Sequence, residues 1–167
     1  LSTKILPHNF IELIKASIQI LKGKKIEIYP DFETGGSINV SEYQQGHRGG
    51  KVKIRAKIEV EDKKWLVIRE LPFSVTTTTL IDSIVKAAEK GKIKIKQVSD
   101  NTAKDVEIRI ELQPGVSPEV SIDALYAFTS CEVSISPNAC VIVKDKPLFL
   151  NVQEILRIST EHTRDLL

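Results

Sequence analysis

From Lys51 to Ile58 the sequence alternates without a break: Val52, Ile54, Ala56 and Ile58 take one side of an extended chain, and Lys51, Lys53, Arg55 and Lys57 take the other. A period of two is the signature of a strand with one covered face, whereas a helix would scatter the same residues around its axis. The segment therefore predicts a strand that buries its aliphatic side and presents a row of cations. Trp65 to Leu71, ended by Pro72 and preceded by a turn at Glu61 to Lys64, predicts the return strand of a hairpin.

The remaining elements follow from caps and periodicity. Asn9, with Glu12 three residues on, announces a helix in which Ile11, Ile14, Ile18 and Leu21 recur at helical spacing until Gly23. Residues 29–50 hold Pro30, Gly35, Gly36, Gly46, Gly49 and Gly50 with few aliphatics, so they predict loops around one short strand at 37–40. The Thr76 to Thr79 run caps a helix with the stripe Leu80, Ile81, Ile84, Val85 and Ala88, closed by Gly91. Ile93 and Ile95 alternate with Lys92, Lys94 and Lys96 in a third strand, and Val106, Ile108, Ile110 and Leu112 form a fourth. Ser117 and Pro118 open a helix through Phe128, and two strands, Val133 to Ser136 and Val141 to Val143, flank Pro137-Asn138. Asn151 with Glu154 heads a last helix reaching Leu167. This order predicts an α+β fold in one compact body: an antiparallel sheet with helices packed on one side.

Composition narrows the class. With 167 residues, 41% of them hydrophobic, the chain can bury a core, which excludes disorder. Twenty-four Lys and Arg against 22 Asp and Glu leave +2, too balanced for a polycation, so any basic surface must come from local placement. No apolar run reaches the roughly 18 residues that span a bilayer. Cys131 and Cys140 match no zinc spacing and nothing resembles a secretory signal, so a reduced, cytoplasmic protein is expected. The start at Leu1 and the lack of methionine predict a piece of a longer polypeptide.

The cationic strand face is the strongest chemical signal. Alternate residues on a strand lie about 6.6 Å apart, so its four side chains span about 20 Å, the scale of a duplex. With Arg48, and with no acidic residue between Tyr43 and Ile58, the stretch carries +5, suited to neutralising phosphates with release of counterions. Lysines that guard a sheet edge against aggregation would give the same pattern. Lys90, Lys92, Lys94 and Lys96 either extend the basic surface or form a solvated face. Gly49-Gly50 allows close backbone approach. Gly46 to Lys51 fails as a phosphate loop, since Val52 stands where Ser or Thr is required and a strand follows. His8, His47 and His162 are scattered, so no metal site is expected. Asp31 and Glu33 fit turn carboxylates, and no nucleophile elbow is present. Residue chemistry alone offers no catalytic residue.

Several segments together resemble the A subunits of the bacterial type IIA topoisomerases: Ile5-Leu-Pro-His-Asn9, Tyr29-Pro-Asp-Phe-Glu-Thr-Gly-Gly36, and Gly46-His-Arg-Gly-Gly-Lys-Val-Lys-Ile-Arg-Ala56. Glu70-Leu-Pro-Phe73, Asp100-Asn-Thr102 and Leu125-Tyr-Ala-Phe-Thr129 continue the likeness in family order across essentially the whole chain. The short approach to Pro30-Asp31-Phe32 is more similar to the topoisomerase IV branch than to gyrase. The resemblance implies the tower, or shoulder, of the DNA cleavage core over residues 1–150, with residues 151–167 beginning a coiled-coil arm. It implies three partners for the parent enzyme, with no membrane association: duplex DNA, a second A subunit, plus the B subunit that bears the ATPase. ATP and Mg2+ would be used through the B subunit, with no cofactor in this piece. Tyr29, Tyr43 and Tyr126 lie outside the family's Arg-Tyr nucleophile motif, so no catalytic residue is expected here. Ile5 would be the residue that wedges between base pairs and bends DNA, and Arg48, Lys51, Lys53 and Arg55 would contact its backbone. On the residues alone, a staple of the chain onto the first helix is the favoured role of Ile5. Glu33 and His47 depart from the family's common proline and arginine.

Overall fold

The structure, a computed structural model, describes residues 2–167. In chain order its elements are α1 Phe10–Leu21, β1 Ser37–Asn39, β2 Val52–Arg55, β3 Lys57–Val60, β4 Trp65–Glu70, α2 Thr77–Glu89, β5 Ile95–Asp100, β6 Ile108–Leu112, α3 Pro118–Phe128, β7 Glu132–Ile135, β8 Cys140–Val143, β9 Lys146–Phe149 and α4 Val152–Leu166. The fold is α+β, with antiparallel pairing throughout the four-stranded sheet β3-β4-β6-β5 and the hairpin β8-β9. A third sheet has the order β1-β2-β7. The chain divides into two compact units, one of residues up to Phe32 with Asn39–Val52 and Ile135–Leu167, the other of Glu33–Ile38 and Lys53–Ser134.

The second unit is built on the four-stranded sheet. Leu66 faces Ile110 and Ile68 faces Ile108 across the β4/β6 ladder, and all four are fully buried. Leu80, Ile84 and Ala87 of α2 and Leu125 of α3 cover that face. On the opposite face Arg69 pairs with Glu59 and Glu107, and Arg109 with Glu61, while the Arg109 guanidinium lies 5.1 Å from the Trp65 ring centre. Burying one such aliphatic contributes about 1.5–3 kcal/mol, against about 0–1 for an exposed ion pair, so the covered face holds this sheet together. Thr76 and Thr79 cap α2 reciprocally, as the threonine run predicts, although Val85 stays 41% exposed.

In the first unit Asn9 accepts from the backbone N–H groups of Ile11 and Glu12 at 3.0 and 3.2 Å and so starts α1. Leu13, Ala16 and Ile20 pack with Ile26, Ile28, Val152 and Leu156. The stripe read from the sequence, Ile11, Ile14, Ile18 and Leu21, remains 45–61% exposed. The helix carries two apolar stripes, and spacing does not say which one a neighbour covers. Asn151 and Glu154 form the expected capping box of α4.

Two compact units stand where one compact body is expected, and three further expectations are corrected. The alternating segment 51–58 is two strands in two sheets, because at Ala56 the N–H donates to the Cys131 carbonyl (2.7 Å) and the carbonyl accepts from the Tyr126 hydroxyl (2.9 Å), which takes the chain out of the ladder. The hairpin is thus β3-β4, with a register shift at Lys57/Ile58. The last two expected strands, β7 and β8, fall in different sheets, and β8 pairs with β9 through Lys144 and Asp145 at φ 50 and 62. That is the backbone of a two-residue hairpin turn, usually announced by Asn-Gly or Asp-Gly and here written without glycine. Ser117 precedes α3 but its side chain makes no cap hydrogen bond.

Candidate nucleic-acid interface

The basic row stands on alternation that survives folding. Val52, Ile54 and Ala56 are at most 1% exposed, so the side chains between them turn outward. Lys53 and Arg55 sit two apart on β2 in the second unit, while Arg48, Lys51 and Ile5 belong to the first. Arg48 is exposed and Lys53 half-buried, and neither has an acidic partner among the described residues. The other three cations are paired: Lys51 Nζ with Glu42 at 3.1 Å, Arg55 Nε with Glu132 at 2.6 Å, and Lys57 Nζ with Glu59 and Glu70 at 3.6 and 3.9 Å. The +5 of the linear sequence is therefore partly neutralised in space, by Glu42 and Glu59 at the margins of the stretch and by Glu70 and Glu132 farther along the chain. Such pairs are weak and screened by salt, so a phosphate can compete with them.

Arg55 is the most constrained member. Its guanidinium carbon lies 4.8 Å from the Tyr126 ring centre, and the hydrogen bond to Glu132 raises its pKa. Gly49-Gly50 also has a part within the loop. Gly50 lies where a Cβ would come 2.7 Å from the Gln44 backbone nitrogen, so the close approach is within the loop itself, and Gly49 adopts φ +99, which L side chains rarely do.

Ile5 is 42% exposed beside the buried Leu6. Its segment is held by paired backbone bonds between Lys4 and Asn138 (2.8 and 3.0 Å) and by the Asp31 N–H donating to the Pro7 carbonyl (2.9 Å). His8 follows, its Nδ1–H donating to the Leu6 carbonyl at 2.8 Å while Nε2 is buried without a partner among the described residues. Burial lowers the His8 pKa from its ordinary 6.5. The unfolded chain then binds more protons, so this group's contribution to stability is present above pH 6.5 and is lost as pH falls from there toward the folded value. Heating at pH 7.5 and 5.5 should show a larger loss of Tm for the native chain than for His8→Asn, which keeps an N–H for Leu6 but does not titrate; equal losses would remove His8 from the pH response.

None of the three tyrosines has a lowered pKa, and the Tyr29 hydroxyl donates to the Glu27 carboxylate. Burial pushes Tyr43 up to about 12 and raises Tyr126, and the hydrogen bond to Glu27 raises Tyr29. Among the described residues no three His, Cys, Asp or Glu side chains gather as a metal site, and no helix is long and apolar enough to cross a membrane. Cys131 and Cys140 are free and buried, and burial pushes Cys131 up to about 11.

The family model for the A subunit of DNA gyrase/topoisomerase IV matches residues 1–167. The chain is 42% identical to the A subunit of DNA topoisomerase 4 from Borreliella burgdorferi over 167 residues, covering all of this chain and 26% of that protein. It is 34% identical to the A subunit of DNA gyrase from Lawsonia intracellularis over 186 residues and 30% identical to that of Chlamydia pneumoniae over 187, covering all of this chain and 22% of each. It thus spans about a quarter of the length of these relatives. A match to the family model over its whole length, with 42% identity to an A subunit across all of its residues, makes this chain a member of the family of DNA gyrase/topoisomerase IV A subunits.

Proposed function

We propose that this chain is the tower region of a topoisomerase IV-type A subunit, where it grips and bends the duplex that the parent enzyme cleaves. The full-length match to the A-subunit family carries the reading. The higher identity to the topoisomerase 4 relative, aligned over 167 positions where the gyrase alignment needs 186, favours that branch over gyrase. In this reading Arg48, Lys51, Lys53 and Arg55 hold phosphates, and Ile5 unstacks one base step at a cost of a few kcal/mol that wrapped contacts offset. The parent enzyme relaxes and decatenates DNA in the cytoplasm as a heterotetramer of two A and two B subunits, and the B subunits supply ATP hydrolysis and the magnesium site. α4 begins the coiled-coil arm. The transesterifying tyrosine lies outside this chain, so the chain alone binds DNA without cutting it.

The test is a transplant. This chain, exchanged for the corresponding segment of the Borreliella burgdorferi relative and combined with that organism's B subunit, ATP and Mg2+, should support relaxation and decatenation. The isolated chain under the same conditions should form no covalent DNA adduct. A transplanted enzyme that folds and assembles but passes no strands would contradict the reading, as would an adduct mapped to Tyr29, Tyr43 or Tyr126.

A further inference from the structure

The four cations of the candidate interface are not equivalent. Arg55 is fixed at two points: Nε donates to Glu132 at 2.6 Å, and the guanidinium lies over the Tyr126 ring. Tyr126 is itself tethered, its hydroxyl donating to the carbonyl of Ala56, the next residue along the chain. The Glu132 side chain is 19% exposed, so its carboxylate is a built part of the surface, while the Arg55 side chain is 51% exposed. The anchoring uses only Nε, and among the described residues Nη1 and Nη2 make no hydrogen bond. A guanidinium offers five N–H donors in a rigid fork, and the terminal pair matches two oxygens of a phosphate.

We propose that Glu132 and Tyr126 are positioning residues that aim the Nη fork of Arg55 at a backbone phosphate of bound duplex. The inference rests on the DNA-binding reading above and adds which contact is preorganised and what orders it. Arg55 then binds as a fixed fork, while Lys53 acts as a mobile point charge. Ordering a long side chain before binding removes a cost otherwise met on association. Glu132 also carries a negative charge into a DNA-facing surface, which opposes binding. The two effects have opposite signs, so removing the carboxylate separates them.

The experiment measures the affinity of the 167-residue chain for a fluorescein-labelled 20-base-pair duplex at two salt concentrations, with Tm recorded for every variant. Glu132→Ala should weaken binding about two- to tenfold, the equivalent of ordering one rotamer-rich side chain, although it removes a repulsive charge. Arg55→Lys, which keeps the charge but not the fork, should weaken it nearly as much as Arg55→Gln. In an Arg55→Gln background Glu132→Ala should cause no further loss. That last readout would not follow from general damage to the fold. Tighter or unchanged binding by a folded Glu132→Ala, or Arg55→Lys binding as the native chain does, overturns the proposal. Should Glu132→Ala fail to fold, the Arg55→Lys comparison decides it. If Arg55→Gln alone is silent while Lys53→Gln weakens binding, positioning fails and the DNA reading stands; if neither changes binding, the DNA reading fails as well.

Discussion

Replacing Arg48, Lys51, Lys53 and Arg55 together with glutamine is expected to remove most of this chain's affinity for duplex DNA and to flatten its salt dependence. Each phosphate neutralised contributes about 0.9 to the slope of log K against log salt, so four contacts give a slope of about −3.6. Raising salt from 50 to 200 mM should then weaken the native chain on the order of 100-fold, and the quadruple variant far less. Folding should be nearly unaffected. The four side chains lie outside the buried clusters; Lys51 and Arg55 each lose an ion pair, worth about 0–1 kcal/mol, and Arg55 also loses its contact with the Tyr126 ring. A quadruple variant that folds and binds with the native affinity and slope would remove the basic row from the interface.

The second large effect belongs to Ile5 in the complete enzyme. Ile5→Ala should leave affinity close to native while reducing the bend angle of bound DNA, read by energy transfer between labelled duplex ends, and should lower cleavage and strand passage more than binding. Bending a 20–30 base-pair site smoothly costs about 1–6 kcal/mol, and a wedge concentrates that deformation at one unstacked step. The alternative role, a staple on α1, makes a different forecast: a lower Tm for the isolated chain and an unchanged bend. Ile5 is 42% exposed next to a Leu6 that is 4% exposed, so the chain already uses the neighbouring residue for burial and leaves Ile5 outward. Loss of Tm without loss of bending would assign Ile5 to the fold.

How far the sequence carries can be judged from particular elements. Local chemistry was legible: Asn9, Thr76 and Asn151 cap the helices they precede, and the burial of Val52, Ile54 and Ala56 follows from alternation. What depends on partners distant in sequence was not. Nothing in Lys51 to Ile58 shows that Ala56 leaves one sheet for another, because the groups responsible are the Cys131 carbonyl and the Tyr126 hydroxyl. The two apolar stripes of α1 are equally periodic, and only the presence of Ile26, Ile28 and Val152 selects Ala16 over Ile14. At the candidate site the cations were legible as a row, but the carboxylate that anchors Arg55 was not, since Glu132 lies 77 residues away. The division into cations with and without an acidic partner therefore appears only in three dimensions.

The central claim, that the outward side of β2 and the residues leading into it face duplex DNA, is tested most directly by lysine footprinting. The 167-residue chain is acetylated with and without a saturating duplex, and the reactivity of each lysine is read by mass spectrometry. Lys51 and Lys53 should be protected, and protection should vanish at high salt. Lys63, in the β3-β4 turn, and Lys104, in the loop between β5 and β6, should react equally in both samples. Protection of Lys63 or Lys104 with Lys51 and Lys53 still reactive would contradict the account.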